Sequence, residues 1–503
     1  PDWLTAFTAS GAGSISDSSF SAAVAAQTAV TSNSHNETLW KAEPVSGTYD
    51  LSTKGGTTAM NTANCYIINA PGKYSLPLVY GNAVKNGSTN ASAYTSQASG
   101  TYVLKTFVNH LDAPITDPYI YNNADCTPNN AVLVWQDEEN LVTNVALAPD
   151  GHSLTFDVGS ATIKQGNAIV AVRDASNRIM WSWHIWVTDF VPGLPPTVTP
   201  HYNPAEMQRD KVVTSNRGLK YTFMGVNIGW CDGGITTYDA RSVKVRFKQT
   251  KTGATQIITI SQDAGETKEC GNCSYFQFGR KDPMLGGILT TSWPPDPKSC
   301  YSDSGYAFDK SGTGKVSIGT AIQNPHVFYD RDPNRPWDWC STSYYNCWSA
   351  DNIETTAYDK EVVKTVYDPS PVGYHLPPPD AFTGFTYSGQ TTRKSSEGDS
   401  YFGSQFNSPY TSSDDVGLNY GWTVYCNRMP GIGNYDTSGG VIFIPGTSML
   451  HASYSGLGRF GFYWAAVGHS IDAGLSTTYS PNGFVLLYPS VRYYGFTVRP
   501  VRE

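Results

Sequence analysis

Between residues 46 and 190 the apolar positions come in short runs separated by turn formers, which is the rhythm of strands and not of helices. Cys65-Tyr66-Ile67-Ile68 leads into the turn Asn69-Ala70-Pro71-Gly72, and a second run follows at 74–79. Residues 131–135 form a short buried run. Asp150-Gly151 joins 145–147 to 153–158 as a hairpin turn, because both residues tolerate positive φ. In the second of these runs Leu154, Phe156 and Val158 share one face, with Thr155 and Asp157 on the other. Runs at 168–172 and 179–187 flank Asp174-Ala175-Ser176-Asn177, and Ile179, Trp181, Trp183, Ile185 and Val187 line one face of the last strand. No helical period competes. The expected closure of residues 46–190 is an immunoglobulin-like β-sandwich.

The flanking segments read differently. Residues 1–45 are rich in Ser, Ala and Thr with few bulky apolar side chains, so an extended arm or peripheral strand is expected, docked on or exchanged at the sandwich edge. Residues 191–215 hold Pro192, Pro195, Pro196, Pro200 and Pro204, the mark of a stiff linker. Residues 216–503 form the second expected domain. It opens with a strand at 220–226 and a hairpin in which Val243, Val245 and Phe247 alternate with Lys244, Arg246 and Lys248. Lys251-Thr252-Gly253 turns that chain and 256–260 returns. The remainder is rich in Gly and aromatics with little helical periodicity; Asp380, before Ala381-Phe382, is the best helix N-cap.

Composition agrees with a mainly β chain. A length of 503 residues suits two or three domains. Hydrophobic residues are 40% and charged residues 15%, with 47 Gly, 31 Pro, 32 Tyr and 13 Trp, which points to a β-rich extracellular protein and away from disorder. A net charge of −8 disfavours a nucleic-acid partner. No stretch approaches the ~18 apolar residues of a membrane span. The chain begins at Pro1 with no visible signal peptide, so a processed chain that has lost a targeting segment is expected. Nine cysteines (Cys65, Cys126, Cys231, Cys270, Cys273, Cys300, Cys340, Cys347 and Cys426) leave at least one unpaired within the chain.

Several stretches after residue 218 together carry a family resemblance. They are Met224-Gly225-Val226-Asn227-Ile228-Gly229, Tyr275-Phe276-Gln277-Phe278-Gly279-Arg280-Lys281-Asp282-Pro283, Trp337-Asp338-Trp339-Cys340, Tyr367-Asp368-Pro369-Ser370-Pro371-Val372-Gly373-Tyr374-His375-Leu376-Pro377 and Gly439-Gly440-Val441-Ile442-Phe443-Ile444-Pro445. The chain ends with Phe462-Tyr463-Trp464-Ala465-Ala466 and Tyr494-Gly495-Phe496-Thr497-Val498-Arg499-Pro500-Val501. This part resembles the Fibrobacter major paralogous domain, a branch of the C-type-lectin and formylglycine-generating-enzyme fold. The resemblance implies a C-type-lectin-like α+β domain. The first half, with Ala131-Val132-Leu133-Val134-Trp135-Gln136-Asp137 and Trp181-Ser182-Trp183-His184-Ile185-Trp186, is similar to Bacteroidales surface proteins. The pairing resembles tip adhesins of type V pili, secreted as lipoproteins and matured by cleavage, some of whose relatives are diversified by retroelements near the C-terminus. It implies an extracellular location at the cell surface or fimbrium, with pilus subunits as partners. Relatives usually carry a cysteine where Ser370 stands, so one family disulfide lacks its partner here.

The segment 459–496 carries Arg459, Phe460, Phe462, His469, Asp472, Tyr479, Asn482, Phe484, Leu487, Tyr488, Ser490, Arg492, Tyr493 and Tyr494 between small residues and prolines. Gly461, Trp464, Gly495, Phe496 and Val498 read as framework. Tyr and Arg give large contact area at low entropic cost, so a ligand-binding face for a protein or glycan receptor is expected. The same aromatics would also serve to fill a β-rich core. Cys270-Gly271-Asn272-Cys273 has zinc or redox spacing but no second pair, so disulfides or inert thiols are expected, and Cys340 with Cys347 could close a small loop. Ser480-Pro481-Asn482-Gly483 lacks the carboxylate or amide of a calcium-lectin loop, and Trp348-Ser349-Ala350-Asp351 is only loosely similar to its partner strand. No cysteine follows Cys426, so the cysteine pair of formylglycine-generating enzymes has no counterpart. Asp137-Glu138-Glu139 and Asp414-Asp415 read as solvated turns rather than a glycosidase pair. No metal, cofactor or catalytic residue is expected. A carbohydrate-active or sulfatase-modifying-type enzyme and a phage receptor-binding protein are the alternatives.

Overall fold

The computed structural model describes residues 4–10, 19–24, 28–195, 208–248, 252–288, 296–303, 305–331, 337–353, 361–390, 392–393, 406–408, 414–416, 419–451, 454–455, 460–470, 473–480 and 483–503. Strand makes up 41% and helix 7%, so the class is mainly β. The chain forms two compact units: Pro1–Ser34 with Gly233–Glu269, and His35–Asp232 with Cys270–Glu503.

In the smaller unit Leu4–Ser10 pairs antiparallel with Ser19–Val24. Thr28–Ser32 pairs with Ile235–Tyr238, which pairs in turn with Gly265–Lys268. The arm's last strand thus finds its partner in residues inserted after position 232, where the sandwich edge was expected; Thr31 and Thr236 add a side-chain bond across that pairing. Arg241–Lys248 and Thr255–Gln262 form the expected hairpin in unbroken register, with Val243, Val245 and Phe247 half-buried between exposed neighbours.

In the larger unit the run at 153–158 is a strand with the expected alternation. It lies in a four-stranded sheet, in the order Thr143–Leu147, Ser153–Val158, Gly72–Pro77, Thr48–Asp50. A second sheet runs Cys65–Ile68, Ile179–Val187, Gly166–Arg173, Asn130–Gln136. Ile179–Val187 was expected to bury one face; every residue in it is buried. The reason is that later chain covers its second face. Ser182 donates to Asp282 at 2.7 Å and Trp186 to the Trp230 carbonyl at 3.0 Å. The largest apolar cluster therefore takes in side chains from Leu39 to Val501, on both sides of 191–215. Within that span Lys211–Thr214 is a strand paired with Lys220–Phe223, and Phe223 pairs with Val501. Pro196, Pro200 and Pro204 lie outside the described residues. Asp380 does not cap a helix: it sits in the first turn of the 3-10 helix Pro379–Phe385, whose cap position is Pro378.

His35 opens the larger unit as a clamp. Its Nδ1 lies 2.9 Å from Asp189 and its Nε2 3.0 Å from Asp232, and Gln208 donates to Asp189 at 2.9 Å. Burial works against the imidazolium, but the hydrogen bond to Asp189 and the two carboxylate charges outweigh it, so its pKa is raised above 6.5. A raised folded-state value gives stability that is complete below the unfolded value and lost as pH rises through the folded one. His35→Asn is therefore expected to lower the unfolding midpoint at pH below 6.5 and to converge on the wild type in alkali. Equal destabilisation across that range would refute the charged clamp.

Candidate functional site

Near the C-terminus Gly461–Ser470, Ala473–Ser480 and Gly483–Val491 form consecutive antiparallel strands, with Thr392–Arg393 at the outer edge. On the other side Phe462 and Trp464 are tied to Thr497 by backbone bonds of 3.0 and 3.1 Å. Phe496 stacks on Trp464 at 4.3 Å and on Phe462 at 5.0 Å. Outward from this stack lie Phe460, 6.3 Å from Phe462, and Tyr494, 5.8 Å from Phe496. His451 closes the row edge-on to Tyr494 at 5.1 Å, with its Nε2 3.4 Å from the Tyr493 hydroxyl. Burial holds the His451 imidazole below its ordinary value, with the Asp330 charge acting against it and Arg331 with it. The result is a half-buried aromatic row.

The last long strand has an anomaly. Phe484, Leu486, Ser490 and Arg492 share one parity and all point inward. Tyr488 has the same parity and is 45% exposed. Between them Leu487 adopts φ 53, the left-handed region that a branched apolar residue rarely enters, and the pairing register shifts opposite it between Ser476 and Thr478. Tyr488 is lifted out of a strand that otherwise faces the core, and Pro489 beside it is exposed.

The expected binding face is thus only partly outward. Tyr488 is exposed; Phe460, Phe462, His469, Leu487 and Tyr494 are half-buried. Phe484, Ser490, Arg492 and Tyr493 are buried, which corrects their expected outward orientation. Phe484 packs against Phe385, Phe406 and Trp422. Ser490 meets Ser476 at 2.9 Å. Arg492, 0% exposed, pairs with Asp338 at 3.1 Å and lies over the Phe278 ring at 4.7 Å, so desolvation is met by an internal counter-ion and a π face. Tyr479 lies in a strand but its side chain is outside the described residues, as are Arg459, Asp472 and Asn482 altogether. Sequence reading missed His451, and it read Trp337 only as part of a family motif. Trp337 is 51% exposed, and its carbonyl accepts the Arg492 N–H at 2.8 Å.

Elsewhere Cys65, Cys126, Cys231, Cys273, Cys300, Cys340, Cys347 and Cys426 are free thiols. Burial pushes Cys347 up to about 11 and Cys273 and Cys426 up to about 12, so these thiols stay protonated. Among the described residues no group of three or more His, Cys, Asp or Glu is placed to hold a metal ion. A cleft of about 390 Å³ in the first half is lined by Tyr49, Tyr66, Ile68, Tyr74 and Phe190, with Lys54 as its one charged lining residue. Asp137, expected in a solvated turn, is instead 2% exposed and bound to Lys298. Comparison with protein-family models, curated proteins and solved structures gives no match.

Proposed function

We propose that this chain is a cell-surface adhesin that binds a protein or glycan receptor through the aromatic row Phe460, Phe462, Tyr494 and His451, with Tyr488 as a second anchor. The reading takes the two four-stranded sheets formed within residues 48–187 as an immunoglobulin-like sandwich and the chain after residue 218 as a C-type-lectin-like domain, displayed outside the cell with pilus subunits as assembly partners. The observation that carries it is Tyr488. A strained, positive-φ Leu487 costs about 1–3 kcal/mol, and such strain clusters where a side chain must be presented rather than buried. Half-buried aromatics held by a buried framework suit a binding face, because rigid rings lose little entropy on contact.

The test is binding of the purified chain to a glycan array and to immobilised extracellular glycoproteins. Tyr488→Ala and Tyr494→Ala are each expected to weaken the strongest signal about tenfold, with the unfolding midpoint of the exposed Tyr488 variant unchanged within ~1 °C. Wild-type binding in both variants, or no binding to either panel, would overturn the assignment.

A further inference from the structure

Lys298 and Asp137 form a buried Lys–carboxylate pair that joins distant chain segments and has a second carboxylate on the same amine. Lys298 is 8% exposed and Asp137 2%. The Lys298 Nζ lies 2.9 Å from Asp137 Oδ2 and 3.5 Å from Glu138 Oε1. Asn167 fixes the carboxyl group from the far side: its backbone N–H donates to Oδ1 at 2.6 Å and its Nδ2 to Oδ2 at 3.0 Å. Asn167 is itself locked, with Oδ1 2.9 Å from His184 Nε2. The lysine is held from its own side by its backbone bond to the Gly286 carbonyl at 2.9 Å. Gly166 packs so closely that a Cβ there would stand 2.8 Å from Asp137 Oδ1. The Lys281–Asp282 pair joins neighbours in sequence, and Arg492 carries no nucleophilic amine.

We propose that Lys298 and Asp137 condense to an intramolecular isopeptide bond, with Glu138 as the proton carrier and Asn167 as the oxyanion donor. The ammonium first gives a proton to the Asp137 carboxyl group, a transfer that burial favours and that the Asp137 and Glu138 charges oppose, since together they hold the lysine proton above its ordinary value. The amine nitrogen then attacks Cγ. Negative charge gathers on Oδ1, where the Asn167 N–H already points. Glu138 takes the second proton from nitrogen and passes it to Oδ2, which leaves as water. One C–N bond forms, one C–O bond breaks, and a carboxylate and an ammonium become an amide and one water with no change in oxidation state. The two groups begin within hydrogen-bonding distance and are held by separate backbones, so the reaction has the proximity that makes intramolecular acylation fast. The product would staple the end of the Asn130–Gln136 strand to the segment at 296–300, independently of what the chain binds.

The experiment is the intact mass of the full purified chain after reduction and alkylation of its thiols. The expected mass is lower than the sequence mass by one water, and proteolysis yields a branched peptide joining residues 137 and 298. Lys298→Arg keeps a positive charge but cannot form the amide, so its mass equals that of its sequence; Glu138→Gln retains the Lys–Asp pair and is expected to leave most of the chain uncrosslinked. A wild-type mass equal to the sequence mass overturns the proposal. So does a water loss that survives in Lys298→Arg, since that places the dehydration elsewhere.

Discussion

Arg499→Ala is expected to destabilise the larger unit by about 3–5 kcal/mol, a large share of the ~5–15 kcal/mol that holds a typical domain together. Arg499 is buried two residues before the final strand, Val501–Arg502. Its Nε donates to the Met224 carbonyl at 2.7 Å and its Nη2 to the Gly225 carbonyl at 2.5 Å. Nη1 reaches the Phe443 carbonyl at 3.2 Å and Asn227 Oδ1 at 3.3 Å. The guanidinium therefore joins three segments that are far apart in sequence through three main-chain oxygens and one side-chain oxygen, all on buried residues. Truncation leaves those acceptors buried, at roughly 1–3 kcal/mol each before relaxation. Arg499→Lys is expected to recover less than half of the loss, because one ammonium cannot span oxygens arranged around a planar fork. Denaturant midpoints of the two variants check this. A loss under ~1 kcal/mol for the alanine variant would mean that water replaces the arginine and that the clasp is dispensable.

This arginine also shows what the sequence can and cannot say. The strands at 153–158, 166–173 and 179–187 were readable, because period-two alternation and Asp-Gly or Asp-Ala-Ser-Asn turns are local signals. The direction of Arg492 was not. An arginine among tyrosines reads as a contact residue, and only the parity it shares with Phe484 and Leu486 argues for the inside. Its counter-ion Asp338 is more than 150 positions earlier, beyond any local pattern. The opposite failure is Tyr488, which shares the inward parity yet is exposed because of one positive-φ residue that composition does not mark. Asp137 was misread for the same reason as Arg492: its acidic neighbours suggested solvent, while its partner Lys298 arrives from a distant segment. His451 joined the aromatic row through long-range pairing of Leu450 with Gly495. The strand at 28–32 was legible as peripheral, but its partner at 235–238 was not, since two Thr-rich strands carry little that specifies one another.

The division of the chain has a measurable consequence at Asn64. A linker at 191–215 would leave two domains with separate cores and separate unfolding transitions. Instead Asn64 donates through Nδ2 to the Val366 carbonyl at 2.6 Å and the Asp368 carbonyl at 2.9 Å, while its Oδ1 accepts from Trp181 Nε1 at 3.1 Å. Its own carbonyl accepts the His184 N–H at 2.8 Å, so one buried residue binds the strand Ile179–Val187 to a loop nearly two hundred residues later. Asn64→Ala strips three buried polar groups of their partner and is expected to cost about 3 kcal/mol. Because both halves share the core, that loss is expected to move one calorimetric transition as a whole, with tryptophan fluorescence and far-ultraviolet signals shifting together. Two separable transitions, with only the earlier-melting one displaced in the variant, would show that the halves fold apart and that the Asn64 bonds merely decorate an interface.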